Sequence, residues 1–456
     1  MNINPNIFKA YDIRGIYKKD FAEDFAYKLG LAYAYLRQKE EEDRKLKIVV
    51  GSDMRLSSPP LKRELIRGLL DGGVNVVDIG LSPTPTFYFA VAYFGYDGGV
   101  LVSASHNPKE YNGFKLVRNK ALPIGKNTGI MDLKQIILEN RFQKSNTPGS
   151  LGKRDDCIKE QIKHDLKYVD LDKIKKFKIV IDPANAMGSL YFDELFKYVS
   201  AEVVRMNWEL DGTFPAHEAD PFKYENIKDL CERVRKERAD LGIATDGDGD
   251  RIFFVDDQGN PVEAGITRAI LCKIFLRENP GSKIAYDIRP GKITEDIIRE
   301  NGGIPIVTKV GHSLIKEQTI KEGAVFAGES SGHFFLNMEH GCYEVPVIVA
   351  LKILEELSVS NLNFSQYIKP YKRYFHSGEI NNRVNDPQKI ISLIKERYHD
   401  GKINELDGIT VEYPDYWFNV RASNTEPLLR LNVEAKSKEV LKQKTKELLK
   451  TIKEED

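Results

Sequence analysis

At 456 residues the chain is too long for one small module, and at about 150 residues per domain it has room for roughly three. Its 68 Lys+Arg against 68 Asp+Glu leave no formal net charge, which excludes a general nucleic-acid binder, because that function needs a net basic face; a local phosphate-binding cleft stays open. With 41% hydrophobic and 10% aromatic residues there is material for several cores, so wholesale disorder is excluded.

The chain opens with MNINPNIFKAYDIRG, which has no basic stretch followed by an apolar run, so no signal peptide is expected. The apolar stretches Phe87–Phe94 and Val345–Leu351 fall short of the ~18 residues needed to cross a bilayer. Cys157, Cys231, Cys272 and Cys342 lie far apart and form no CxxC or zinc spacing. They read as reduced, mostly buried thiols, and a cytoplasmic location is expected.

A repeat organises the first three quarters of the chain. Lys47–Asp53 reads as a short buried strand ending in polar residues and is followed by a helical pattern. A second strand, Val74–Ile79, and a third, Gly99–Val102, come next. The same order recurs as Lys178–Asp182, Ala201–Val204 and Leu241–Ala244, and again as Lys283–Asp287, Ile304–Val307 and Ala324–Ala327. Continuous apolar strands alternating with helices predict α/β domains with mixed, largely parallel sheets covered on both faces. From about Lys369 the pattern changes. Arg373–Val384, Gly408–Arg421 and Leu428–Ala435 read as strands, Pro387–Tyr398 as a helix, and the chain closes in a Lys/Glu-rich helix with Leu441, Leu448 and Ile452 on one side. This predicts an α+β domain on an antiparallel sheet. The expected domains are 1–150, 151–253, 254–367 and 368–456, with linkers at Ser145–Gly152 and Asn361–Pro370.

In each α/β repeat the third strand runs into an unusual loop: Ser103–Pro108, Thr245–Arg251 and Gly328–His333. Ligands of open α/β sheets bind beyond the carboxyl ends of strands, so these loops are the candidate sites. In Asp246-Gly247-Asp248-Gly249-Asp250-Arg251, two glycines let the backbone turn tightly enough for three carboxylates to converge on a hard cation such as Mg²⁺. An EF-hand is excluded, because Arg251 and Asp257 stand where its Gly and Glu are required. In Ser103-Ala104-Ser105-His106-Asn107-Pro108, a hydroxyl at a strand end fits a phosphoryl acceptor; alone, it fits a helix-capping loop as well. Asn112-Gly113-Phe114-Lys115 follows with a cation for phosphate. Gly328-Glu329-Ser330-Ser331-Gly332-His333 groups hydrogen-bonding residues that suit sugar hydroxyls, with His333 as an acid or base; a plain polar turn is the other reading. Arg421-Ala422-Ser423-Asn424-Thr425-Glu426-Pro427 combines an Arg fork, hydroxyls and turn N–H groups into a phosphate cradle. Tyr11 and Arg14 lie in Phe8–Gly15, near the start of the chain.

These motifs, in this order over nearly the whole chain, resemble the α-D-phosphohexomutase family, and most closely its phosphomannomutase/phosphoglucomutase branch. The resemblance implies four domains round a central cleft, with Ser105 carrying the transferable phosphate. It further implies Mg²⁺ on Asp246, Asp248 and Asp250 together with the Ser105 phosphate, and catalytic roles for Arg14, Lys115 and His333. Glu329 and Ser331 match the sugar-recognition pair, while Arg421, Ser423, Asn424 and Thr425 match the phosphate-docking loop. Tyr11, Arg251, Arg289 and His312 match further substrate-binding positions; Arg289 stands where relatives often carry Lys. The implied activity interconverts hexose 1- and 6-phosphates of mannose, glucose or both, through a phosphoserine and a hexose 1,6-bisphosphate that also serves as activator. The competing readings are a phosphoglucosamine mutase, a magnesium-dependent phosphatase and a non-catalytic sugar-phosphate-binding homologue. The expected partners are hexose phosphates, with neither nucleic acid nor membrane, and a monomer is the working expectation.

Overall fold

A computed structural model describes residues 4–41, 44–289, 291–422 and 428–454. The chain forms two compact units, Met1–Val262 with Gly332–Ser365, and Glu263–Ser331 with Gln366–Asp456.

The first unit holds two mixed sheets. Strands β1 (Ile13–Ile16), β2 (Lys47–Ser52), β3 (Asn75–Leu81), β4 (Gly98–Val102), β5 (Tyr111–Arg118) and β6 (Leu151–Lys153) lie in the order β1-β5-β4-β2-β3-β6. The pairs β2–β3, β2–β4 and β3–β6 are parallel, while β5 runs antiparallel to both β1 and β4. Alternate side chains on one face of this sheet and those of the helix Glu23–Glu40 close one core around Phe25, Leu29, Val50, Val100 and Phe114. The second sheet runs β11-β10-β9-β7-β8, with β7 (Phe177–Asp182), β8 (Ala201–Arg205), β9 (Leu241–Thr245), β10 (Ile252–Val255) and β11 (Pro261–Val262). A hairpin of β15 (Phe334–Met338) and β16 (Gly341–Glu344) completes the strands of this unit.

In the second unit β12 (Lys283–Asp287) pairs in parallel with β13 (Ile304–Thr308) and β14 (Phe326–Gly328). The C-terminal sheet is antiparallel throughout, in the order β17-β21-β20-β19-β18: β17 (Phe375–Arg383), β18 (Lys402–Asn404), β19 (Ile409–Glu412), β20 (Tyr416–Ala422) and β21 (Leu428–Ala435). Helix Lys438–Glu454 buries Leu448 and Ile452 against it, alongside Ile390 and Ile394 of helix Pro387–Arg397.

Three expectations change. Gly408–Arg421 is two strands, because Pro414-Asp415 lies at the turn between β19 and β20. The second sheet continues past residue 253 to Val262: the acidic loop reverses the chain between antiparallel β9 and β10 instead of leading to a crossover. Leu151–Lys153, which overlaps the end of the expected linker Ser145–Gly152, adds an edge strand beside β3.

A half-buried aromatic cluster bears on stability. His164 packs 5.0 Å from His340 and 5.4 Å from Tyr93, and donates to or accepts from Asp165 at 3.0 Å. His340 hydrogen-bonds Tyr343 Oη at 2.7 Å, and burial, reinforced by His164, pushes its imidazole down to about 4. A depressed folded-state value means that the unfolded chain takes the proton first. This contribution is therefore complete above the ordinary histidine value and is lost as pH falls from about 6.5 towards 4. The melting temperature of the wild type should fall more between pH 7.5 and pH 5 than that of His340→Gln, which keeps a partner for Tyr343. Equal falls, measured by circular dichroism, would refute the contribution.

Candidate active site

The first unit brings together Arg14, Ser105, Lys115, Asp246, Asp248, Asp250, Arg251 and His333 from separate stretches of the chain. Ser105 sits where β4 gives way to β5, in left-handed backbone at φ +50°, which a residue with a Cβ adopts only when its surroundings impose it. Its Oγ donates to Asp246 Oδ2 at 2.8 Å and lies 3.2 Å from His106 Nδ1. The acidic loop reaches it because Gly247 has no side chain: a Cβ there would lie 2.3 Å from the Ser105 carbonyl oxygen. Gly249 takes φ +72° against the Tyr191 ring, so the loop can turn all three carboxylates inward.

Asp246, Asp248 and Asp250 are 0%, 0% and 2% exposed, and one oxygen from each lies within 4.8 Å of the others. Three buried like charges repel, and the surroundings answer them unequally. Burial, then the charges of Asp250 and Asp248, push the Asp246 carboxyl well above its usual range. Burial acts the same way on Asp250, but the Lys115 ammonium and His333 reverse it and hold Asp250 well below. Lys115, on β5, lies 2.5 Å from Asp248 Oδ2 and 2.6 Å from Asp250 Oδ2. Although burial lowers its affinity for the proton, these carboxylates raise it well above an ordinary lysine.

The residues fit a divalent cation. Asp248 Oδ1 is buried with no hydrogen-bond partner, while its Oδ2 takes Thr84 Oγ1 at 2.5 Å. The donors are all hard carboxylate oxygens, the chemistry Mg²⁺ prefers. Thr84 begins the apolar helix Thr84–Tyr93, and its backbone N–H also holds the Asp248 carbonyl at 2.9 Å.

Basic side chains complete this cluster. Arg14, on β1, donates to Asn107 Oδ1 at 2.6 Å and pairs with Asp12. Arg251 Nη2 lies 3.0 Å from His106 Nδ1, and the Arg251 backbone N–H donates to Asp246 Oδ1 at 3.1 Å. His333 Nε2 lies 3.1 Å from Asp250 Oδ1. Burial, then Arg251 and Arg14, hold His106 well below an ordinary imidazole. Tyr11 is half-buried in the segment leading into β1.

The second unit holds the remaining described positions. Glu329 accepts Gly311 N–H at Oε1 at 2.9 Å and Ser331 Oγ at Oε2 at 2.9 Å, and its Oε1 pairs with Arg289 Nη2 at 3.1 Å. Arg289 also reaches Asp287 Oδ2 at 2.5 Å, and these two carboxylates more than offset burial to keep it firmly protonated. His312 opens the helix His312–Glu322. Arg421 ends β20 and donates to Glu379 Oε2 at 2.7 Å, with Arg430 3.4 Å from Oε1. Burial raises Glu379, but Arg421, Arg430 and Arg289 bring it below its usual range. Ser423, Asn424 and Thr425 lie outside the described residues.

Sequence reasoning passed over the supports of these groups. Each repeat's first strand ends at a buried aspartate: Asp53, Asp182 and Asp287 are 1%, 2% and 0% exposed. Asp53 and Asp182 each accept the backbone N–H two residues on, from Arg55 and Ala184. Asp287 instead takes Ser330 N–H at 2.9 Å and the buried Arg268 at 2.6 Å, which ties the sugar-loop candidate to its strand. The signal was present as an aspartate recurring at the same place in three repeats.

A strained serine loop beside a carboxylate cluster suited to a cation, ringed by basic side chains on α/β domains, is the arrangement expected of an enzyme of phosphoryl transfer. The family descriptions of phosphoglucomutase/phosphomannomutase α/β/α domains I, II and III match residues 5–144, 159–259 and 266–374, and the C-terminal domain matches 379–451. The chain is 38% identical to a phosphomannomutase of Vibrio cholerae over 98% of each chain. It is 39% identical to a phosphomannomutase of Methanocaldococcus jannaschii over 97% of this chain and 96% of the other. A phosphoglucomutase/phosphomannomutase family protein of Burkholderia thailandensis superposes with a TM-score of 0.88 at 32% identity, covering 99% of this chain and 98% of that one. The chain belongs to the phosphoglucomutase/phosphomannomutase family. It is a phosphohexomutase, a mutase that moves phosphate within a sugar phosphate.

Proposed function

We propose that the protein interconverts the 1- and 6-phosphates of mannose and of glucose by way of phospho-Ser105 and a hexose 1,6-bisphosphate. The observation that carries this reading is the Ser105 hydroxyl, held in strained backbone 2.8 Å from Asp246, the first carboxylate of the buried cluster. Asp246, Asp248 and Asp250 would hold Mg²⁺ together with the Ser105 phosphate, and the ion would supply positive charge to offset the charge of the phosphoryl group. The substrate hydroxyl attacks the phosphorus of phospho-Ser105 and the P–Oγ bond breaks; the hydroxyl proton passes to His333, held against Asp250, and the departing serine oxygen takes up a proton to become the hydroxyl again. Lys115 and Arg14 donate to the phosphoryl oxygens as charge spreads over them. The bisphosphate then turns end for end and returns its other phosphate to Ser105, so one docking site and one reactive serine suffice. Glu329 and Ser331 read the hydroxyls at C3 and C4, where mannose and glucose agree, which is why both sugars are accepted. Four buried free cysteines fit a reducing cytoplasm.

A coupled assay with mannose 1-phosphate, glucose 1-phosphate and glucosamine 1-phosphate, with Mg²⁺ and catalytic hexose 1,6-bisphosphate, tests this. Turnover of the first two should far exceed the third. Preference for glucosamine 1-phosphate would reassign the substrate.

Arg421 docks the phosphate that is not reacting, together with Ser423, Asn424 and Thr425. It makes charge-assisted bonds to any phosphate monoester, so 1- and 6-phosphates fit in turn. Arg421→Ala should cost on the order of 1.5–3 kcal/mol, roughly ten- to a hundredfold in kcat/KM. Because the anchor does not see C2, the loss should be similar for mannose and glucose substrates. A defect confined to one sugar would contradict the role.

A further inference from the structure

We propose that Arg55 is a positioning residue for phosphoryl transfer, one that acts by gripping the backbone of the serine loop from beneath. The inference rests on the reading of Ser105 as the phosphoryl acceptor. Arg55 follows β2 and is 1% exposed. Its guanidinium makes four hydrogen bonds, all to carbonyl oxygens of one short loop. Nη2 donates to Ser105 O at 2.8 Å and to Asn107 O at 2.6 Å; Nη1 donates to Pro108 O at 2.7 Å and to Tyr111 O at 3.0 Å. The third nitrogen, Nε, lies 3.2 Å from Asp53 Oδ2, and Asp53 Oδ1 is itself held by Ser58 Oγ at 2.6 Å.

This arrangement does what no other cationic side chain can. A planar fork with fixed donor directions engages several carbonyls at once, where a lysine ammonium is a point charge on a flexible stem. The loop needs such a hold, since Ser105 stands at φ +50°. The same grip sets a second group: Asn107, whose carbonyl Arg55 takes, presents its side chain to Arg14. Arg55 therefore registers both the acceptor hydroxyl and a phosphate-binding cation.

The clamp is also sealed. The loop containing Asp211, Gly212 and Phe214 comes from the second α/β domain and covers Arg55 directly. The Phe214 ring centroid lies 5.0 Å from the guanidinium carbon, and a Cβ on Gly212 would lie 2.9 Å from Arg55 Cα. With water kept out, the carbonyls have no other donor to turn to, so the hold on the loop is rigid.

The test uses full-length Arg55→Lys and Arg55→Ala, assayed with Mg²⁺ and hexose 1,6-bisphosphate, with thermal melts to establish folding. Substrate is held by other groups, so kcat should fall on the order of a hundredfold while KM stays within about threefold. Guanidinium at about 20 mM, well below unfolding concentrations, should restore part of kcat in Arg55→Ala, and sodium at matched ionic strength should not. A folded Arg55→Lys with wild-type kcat overturns the proposal, as does a guanidinium-insensitive Arg55→Ala. Should neither variant melt cooperatively, Asp53→Asn carries the test by loosening Arg55 without removing it, and an unchanged kcat there counts against the clamp. Ser105→Ala separates the two ideas. If it stays active, the acceptor reading fails; if it is dead while Arg55→Lys is normal, only the clamp fails.

Discussion

Ser105→Ala should lose at least about a thousandfold in mutase turnover, roughly 4 kcal/mol in the barrier, with every substrate. The reason is stoichiometric as well as geometric. In a ping-pong mutase the enzyme's own phosphate enters the product, so removing its carrier removes the reaction rather than slowing one step. The fold should survive. The substitution deletes one hydroxyl whose donated bond goes to Asp246, and the strained backbone at φ +50° is held through backbone carbonyls that the side chain does not touch. A melting temperature within a few degrees of wild type, with mutase activity absent, is the expected pair of results. Activity near wild type would mean that another group carries the phosphate.

Asp248→Asn should weaken metal binding and turnover together, by roughly a hundredfold each. The two oxygens of Asp248 are employed differently. One is shared by Lys115 and Thr84, and the other is buried without a hydrogen-bond partner. An amide keeps the shape but removes the charge and turns one acceptor into a donor inside a set of carboxylates. Binding of Mg²⁺ to the folded state raises stability by RT ln(1 + [Mg²⁺]/Kd), so a weaker site gives a smaller gain. The thermal shift produced by millimolar Mg²⁺ in the wild type should therefore shrink in the variant. A variant that keeps both the shift and the activity at ordinary magnesium levels would remove Asp248 from the metal site.

What could be read in the sequence was short-range. A continuous apolar run followed by polar residues marks a buried strand and its loop, so Lys47–Ser52, Phe177–Asp182 and Lys283–Asp287 were legible to within a residue or two. The acidic loop was legible for the same reason: glycines between carboxylates announce convergence without help from the rest of the chain. Contacts between distant segments were not. Nothing local to Arg55 tells that its guanidinium closes on carbonyls fifty residues later, nor that Thr84 of an apolar helix caps Asp248. The break at Pro414-Asp415 could have been read from its turn chemistry, but the apolar run on either side outweighed it. Strand β18 has three residues and pairs only along β19, too little pattern to stand out.

The central claim is that phosphate moves from one end of a hexose to the other through the enzyme and is not released. Phosphorus NMR on mannose 1-phosphate, incubated with the protein, Mg²⁺ and a trace of hexose 1,6-bisphosphate, observes that directly. The 1-phosphate resonance should be replaced by that of mannose 6-phosphate until equilibrium, with no inorganic phosphate growing in. Accumulation of inorganic phosphate in place of the 6-phosphate, or an unchanged 1-phosphate signal, would contradict it.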